Sequence, residues 1–259
     1  MSERWIDLTG AVNVRDLGGL PATGGATTRF GQMLRSDNLQ GLTDDDVSQL
    51  TTALNVRDVV DLRTTTEVVA EGPGPLLGHP AVTVHHLSLY PEIGSNTDVE
   101  AESVLPWNQE SDEVTIWESA GLYYTNYLRH RPANVVAALR IMANAAGATV
   151  THCAAGKDRT GVVCALALSV AGVERDAIVD DYVQSGERIE QVVARLKTTP
   201  TYAADLDSRP VDSNRPHAES MRTFLDRVDH EFGGPLRWLG VHGWTESDTE
   251  ALRARLLDR

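Results

Sequence analysis

The stretch that most constrains the fold of this chain is Val150-Thr151-His152-Cys153-Ala154-Ala155-Gly156-Lys157-Asp158-Arg159-Thr160-Gly161. An apolar, β-prone lead-in at 148–150 runs into His152-Cys153, and an apolar run at 162–170 then begins a helix. A strand–loop–helix of this kind sets the loop's amides at a helix N-terminus, where unpaired N–H groups and the helix dipole favour an anion. Ala154, Ala155, Gly156, Lys157, Asp158 and Arg159 form the candidate cradle. Cys153 opens the loop, so the field that holds an anion also favours its thiolate. Arg159 supplies a planar fork that grips phosphate oxygens two at a time. Gly156 lets the loop curl, and Gly161 lets the new helix pack closely. Thr160 can offer its hydroxyl to the sulfur, and His152 orients the loop through hydrogen bonds. A Walker A reading fails, because Thr151 stands where its first Gly belongs and Asp158 where its Ser/Thr belongs.

Composition sets the outer bounds. With 23 basic against 37 acidic residues the formal net charge is −14. That argues against nucleic acid and anionic membrane surfaces as bulk partners, and makes any anion site a local basic pocket in an acidic body. Two cysteines, Cys153 and Cys164, make no disulfide framework, which fits a reducing, cytoplasmic setting. Cys164 lies in the first turn of the predicted helix and reads as a small core residue, with a redox partnership to Cys153 as the alternative. No signal peptide or long apolar span is visible, so stable membrane insertion is not expected. His79, His85 and His86 have no metal-ligand spacing with carboxylates or cysteines, and neither metal nor cofactor is expected.

Along the chain, residues 1–30 are loop-rich, and Asn13 to Gly19 reads as a Gly-ended turn with a local Arg15–Asp16 pair. Strands are predicted at 32–36, 56–62 and 82–89. Thr43 caps a helix to about residue 54, and a helical turn starts at 64–69. The prolines and glycines of 71–80 forbid regular structure. An acidic surface excursion occupies 91–119, followed by helices at 121–129 and 133–145. After Gly172 the chain reads as helical, at 174–182, 186–197, 218–232, 235–239 and 246–257. Between them, 198–217 has three prolines and no apolar periodicity, and is a candidate lid loop. Strands early and helices late predict an α/β fold in a single domain over 1–259.

The loop resembles the Cys-x5-Arg-Thr signature of cysteine-dependent phosphatases. Further matches occur in one order: Asn13-Val14-Arg15-Asp16-Leu17-Gly18-Gly19, Leu34-Arg35-Ser36, Asp61-Leu62-Arg63 with Glu67, and the loop itself. Over roughly residues 5–257 the chain is similar to the bacterial, PtpB-like tyrosine-phosphatase family. The resemblance implies a dual-specificity-type phosphatase fold, a mostly parallel sheet flanked by helices with a helical lid. It also implies metal-free hydrolysis of phosphomonoesters through a phosphocysteine, on phosphotyrosine, phosphoserine/threonine or phosphoinositide substrates.

In that chemistry Cys153 is the nucleophile, Arg159 binds the phosphoryl oxygens, and a carboxylate protonates the leaving oxygen and later deprotonates water. Two carboxylates compete for the role. Asp158 lies inside the loop, and the Lys-Asp-Arg triplet is where this family departs from ordinary tyrosine phosphatases. Asp61 ends a strand at the sheet edge where sites gather in open α/β folds, unless it serves only to orient Arg63 or Arg15. Lys157 adds a second cation, suited to substrates with more than one phosphate. Other classes stay open: a phosphatase of soluble inositol phosphates or pyrophosphates, a silent phosphate-binding pseudophosphatase, and a rhodanese- or arsenate-reductase-like thiol enzyme.

Overall fold

A computed structural model describes residues 4–90, 116–207 and 210–258. The expected excursion at 91–119 lies outside them up to residue 115. At the centre is a five-stranded sheet: β1 (Arg15–Asp16), β3 (Met33–Ser36), β6 (Ala148–His152), β4 (Val56–Asp61) and β5 (Thr83–His86), in that spatial order. β1 is antiparallel to β3, and the remaining pairs are parallel. A small second ribbon joins β2 (Thr27–Thr28) to β7 (Leu257–Asp258).

Strand alternation divides the core in two. Leu34, Val59 and Val150 point to one face, where Leu42, Leu50 and Leu76 cover them. Met33, Val60 and Leu62 point to the other, a larger core filled by the late helices. Those helices are α3 (Ile116–His130), α4 (Pro132–Asn144), α5 (Asp158–Ala171), α6 (Arg175–Gln184), α9 (Ala218–Phe232), α10 (Pro235–Val241) and α11 (Glu246–Leu256). Between α6 and α9 lie two shorter ones, α7 (Ile189–Leu196) and α8 (Pro200–Asp207), and the early half contributes α1 (Asp44–Ser48) and α2 (Thr65–Glu71). Thr43 caps α1 and Thr64 caps α2, each in a reciprocal box with an acidic residue three positions on. No helix among the described residues is long and apolar enough to cross a membrane.

Register is what places the site. β6 sits between β3 and β4, with His152 level with Ser36 on one side and Asp61 on the other. Cys153 therefore leaves the sheet at the carboxyl ends of three parallel strands.

Three expectations need correction. Arg15 and Asp16 occupy a strand, not a turn, and neighbouring strand residues face opposite ways, so they do not pair with each other. Asp16 instead accepts from the Gly18 and Gly31 amides, both at 2.7 Å. The helix after the loop begins at Asp158, three residues before Gly161, which puts Arg159 in its first turn. The described residues of 198–217 are not wholly irregular. They hold α8, with Pro200 in its first position where a missing N–H costs nothing, and a single tight turn at Val211–Asn214.

Candidate active site

The loop from Ala154 to Lys157 is held from outside by its carbonyls. The Asn38 amide donates to Ala154 O at 2.8 Å, Asn13 Nδ2 to Ala155 O at 2.9 Å, and Arg35 Nη2 to Gly156 O at 2.7 Å. In a trans peptide the N–H points opposite to its C=O. Pinning these oxygens outward turns the next amides inward, so the cradle is built by anchors that the loop's own sequence does not contain. Gly156 is required at its position: its φ is +67°, and a Cβ there would stand 2.3 Å from Ser36 O.

Arg35, the charged one of these anchors, belongs to a buried ionic network that also positions Asn13. Asp181 on α6 accepts from Arg15 Nε at 3.1 Å, from Arg35 Nη1 at 2.7 Å, and from Arg4. Burial opposes its charge, but these three guanidiniums outweigh it and hold Asp181 well below the ordinary carboxylate range. Arg15 also reaches Asn13 Oδ1 at 2.6 Å. A chain of contacts thus runs from Asp181 through Arg15 and Arg35 to the loop carbonyls.

Arg159 is fixed by Glu67 of α2. Nη1 donates to Oε2 at 2.6 Å and Nη2 to Oε1 at 3.0 Å, while the guanidinium carbon lies 5.1 Å from the centre of the Tyr90 ring. Burial works against the charge on Arg159, yet Glu67 and Cys153 outweigh it, and its pKa rises well above the ordinary value. Glu67 also accepts from Tyr202 OH of α8 at 2.7 Å.

Both candidate carboxylates are placed. Asp158 lines the pocket above Cys153, its Oδ1 accepting from Tyr124 OH and its Oδ2 lying 3.6 Å from Lys157 Nζ. Asp61 is turned away: Arg63 takes both its oxygens, from Nε at 2.9 Å and Nη2 at 2.5 Å, and its backbone N–H donates at 3.0 Å. Burial works against the charge on Asp61, but its neighbours outweigh burial and it stays below its usual value. Asp61 does not line the pocket.

The pocket floor is Cys153 with Ala154, Ala155, Lys157 and Arg159; its walls are Tyr90, Tyr127, Ile189, Val192, Val193, Leu196, Tyr202 and Leu206. α7 and α8 supply the aliphatic side, and Lys157 Nζ ties the floor to Asn214 O at 2.9 Å. His152 Nδ1 lies 3.2 Å from Cys153 O, and burial holds the ring below its ordinary pKa, so it stands neutral at pH 7. Thr160 Oγ1 is buried beside the loop without a hydrogen-bond partner. Cys164 is buried inside α5, where burial pushes its thiol up to about 11. No cluster able to hold a metal ion occurs among the described residues.

Sequence reading missed Tyr124, Tyr202 and Asp181 altogether, and attached no role to Glu67, Asn13 or Arg35. Three of these sat inside the matched motifs, which was the available signal. The others belong to helices whose only mark is amphipathic spacing.

The chain is 35% identical over 270 residues to the triple specificity protein phosphatase PtpB of Mycobacterium tuberculosis, covering 91% of this chain and 94% of that protein. It is 28% identical over 229 residues to a tyrosine-protein phosphatase of Nostoc commune, covering 86% and 73%. Among solved structures, Pseudomonas aeruginosa TpbA aligns at 16% identity and a TM-score of 0.30 over 73% of this chain and 86% of that one, a loose likeness. The profile of one family matches residues 6–258, nearly the whole strand–loop–helix architecture described above, and the chain belongs to that family, the tyrosine phosphatases.

Proposed function

We propose that this chain is a protein phosphatase that works through a phosphocysteine at Cys153, prefers phosphotyrosine, and also accepts phosphoserine/threonine and phosphoinositides. A phosphomonoester dianion sits in the cradle of residues 154–159 with Arg159 on its equatorial oxygens. The Cys153 thiolate attacks phosphorus, forming S–P as the ester P–O bond breaks, and Asp158 passes its proton to the leaving oxygen. A water then attacks phosphorus and gives a proton to Asp158. S–P breaks, and inorganic phosphate leaves the restored thiolate.

The observation that carries this reading is the convergence of Cys153, Asp158 and Arg159 on one pocket with aromatic and aliphatic walls. An aryl leaving group suits such walls. The name of the mycobacterial relative supports breadth. Among the described residues Lys157 and Arg159 are the cations that line the pocket, a pair suited to gripping one phosphoryl group. Asp61, engaged by Arg63, is assigned the orienting role. The thiol-redox alternative loses support because Cys164 is buried and hard to ionise.

Phosphate release by wild type and Cys153→Ser, on a phosphotyrosine peptide, a phosphoserine peptide and a short-chain phosphoinositide, tests the proposal. The expected result is release by wild type alone, fastest from phosphotyrosine. Release by the serine variant at the wild-type rate, or none by folded wild type, would overturn it.

A further inference from the structure

Asp158 does not stand alone in the pocket wall. Its Oδ1 accepts from the hydroxyl of Tyr124, and Tyr124 OH lies 2.8 Å from Tyr182 OH. A phenol has one proton. With that of Tyr124 directed at Asp158, the bond between the phenols must run from Tyr182 to Tyr124. Ser220 in turn bonds the Tyr182 hydroxyl. Three hydroxyls from α3, α6 and α9 therefore form a line of donors ending on one carboxylate oxygen.

The Tyr124 ring cannot drift. It is fully buried, stacked on Tyr127 at 6.1 Å between centroids, and met edge-on by Phe224 at 6.1 Å and Tyr182 at 6.4 Å. Burial and the charge of Asp158 push its own pKa well above the ordinary value, so it stays a donor at working pH. Asp158 by contrast keeps a third of its side chain accessible, with Oδ2 on the side of Lys157. One oxygen is clamped and the other is presented.

We propose that Tyr124 is a positioning residue for proton transfer: by holding Oδ1 it fixes the Asp158 carboxyl so that Oδ2 faces the leaving oxygen. This rests on the reading of Asp158 as the acid. Tyr124 touches no substrate, and its effect passes entirely through Asp158. It should therefore matter most when the leaving group needs a proton and least when it does not.

The test compares two small substrates on the whole chain: phenyl phosphate, whose leaving oxygen needs a proton, and p-nitrophenyl phosphate, whose leaving group departs without one. Wild type, Tyr124→Phe, Asp158→Asn and the double variant are measured for kcat and KM. Asp158→Asn should lower kcat on phenyl phosphate by about a hundredfold and on p-nitrophenyl phosphate far less. Tyr124→Phe should do the same more weakly, by about tenfold on phenyl phosphate, with KM unchanged. In the Asp158→Asn background it should change nothing further. If Asp158→Asn leaves the substrate ratio unchanged, the acid assignment itself fails. If Asp158→Asn shifts the ratio and Tyr124→Phe does not, or if the tyrosine effect persists without Asp158, the positioning role alone is overturned. Should Tyr124→Phe not fold, Tyr182→Phe removes the donor behind it; a smaller shift in the same direction is expected, and no shift would sink the proposal.

Discussion

Glu67 and Arg159 form a two-point ion pair, each carboxylate oxygen taking one guanidinium N–H, with both side chains almost wholly withdrawn from water. Glu67 also caps α2 through Thr64, so one carboxylate fixes a helix start and the plane of the Arg159 guanidinium. Removing one partner of a buried pair leaves a charge uncompensated, at a cost of about 3–5 kcal/mol. Glu67→Ala is expected to lower the urea midpoint accordingly and to raise KM. Thermal and urea melts beside steady-state kinetics check this; unchanged KM in a folded variant would contradict it.

Asp181 carries a pH signature. Its ordinary value is 3.8, and in the fold it is held well below that by Arg15, Arg35 and Arg4 despite burial. A depressed carboxylate stabilises the native state fully above its unfolded pKa, and loses that contribution as pH falls towards the folded one. Asp181→Asn is therefore expected to cost about 3–5 kcal/mol at pH 7. The gap from wild type should narrow below pH 3.8. Urea melts at pH 7 and pH 3 measure that gap, and a gap that widens in acid would be wrong in sign.

Gly156→Ala meets two obstacles, a left-handed φ of +67° and a Cβ position 2.3 Å from Ser36 O. The backbone conformation alone costs about 1–2 kcal/mol, and the contact forces the loop away from β3. Activity should fall by more than stability does, because the displaced amides are the proposed phosphate site. Equal rates for wild type and a folded Gly156→Ala would show that the cradle is not where substrate binds.

Tyr202 joins α8 to Glu67 through a bond of 2.7 Å. Tyr202→Phe keeps the ring in the pocket wall and loses only the donor, a change of about 1 kcal/mol in how firmly α8 sits. Alkylation of Cys153 by iodoacetamide is expected to quicken several-fold at that energy. No acceleration would mean that α8 is held by Leu206 and its apolar neighbours instead.

What was legible in the sequence were features carried by neighbours in the chain. The five-residue spacing of Cys153 and Arg159, flanked by a β-prone run and an apolar helical run, specified the loop without further help. Thr43 and Thr64 announced helix starts by local chemistry. What escaped depends on distance in sequence: Glu67 lies 92 residues from Arg159, and Arg15 finds Asp181 166 residues away. The adjacent Arg15–Asp16 pair misled because strand geometry separates neighbours. Nothing in their spacing set Asp158 above Asp61; only the fold shows one lining the pocket and the other held by Arg63.

The central claim is covalent attachment of phosphate to Cys153. A rapid-quench experiment with labelled p-nitrophenyl phosphate, followed by peptide mapping, tests it most directly. The account predicts protein-bound label on the peptide containing Cys153, absent in Cys153→Ser, with turnover lost in that variant. Label on another residue during full turnover, or undiminished turnover by Cys153→Ser, would contradict it.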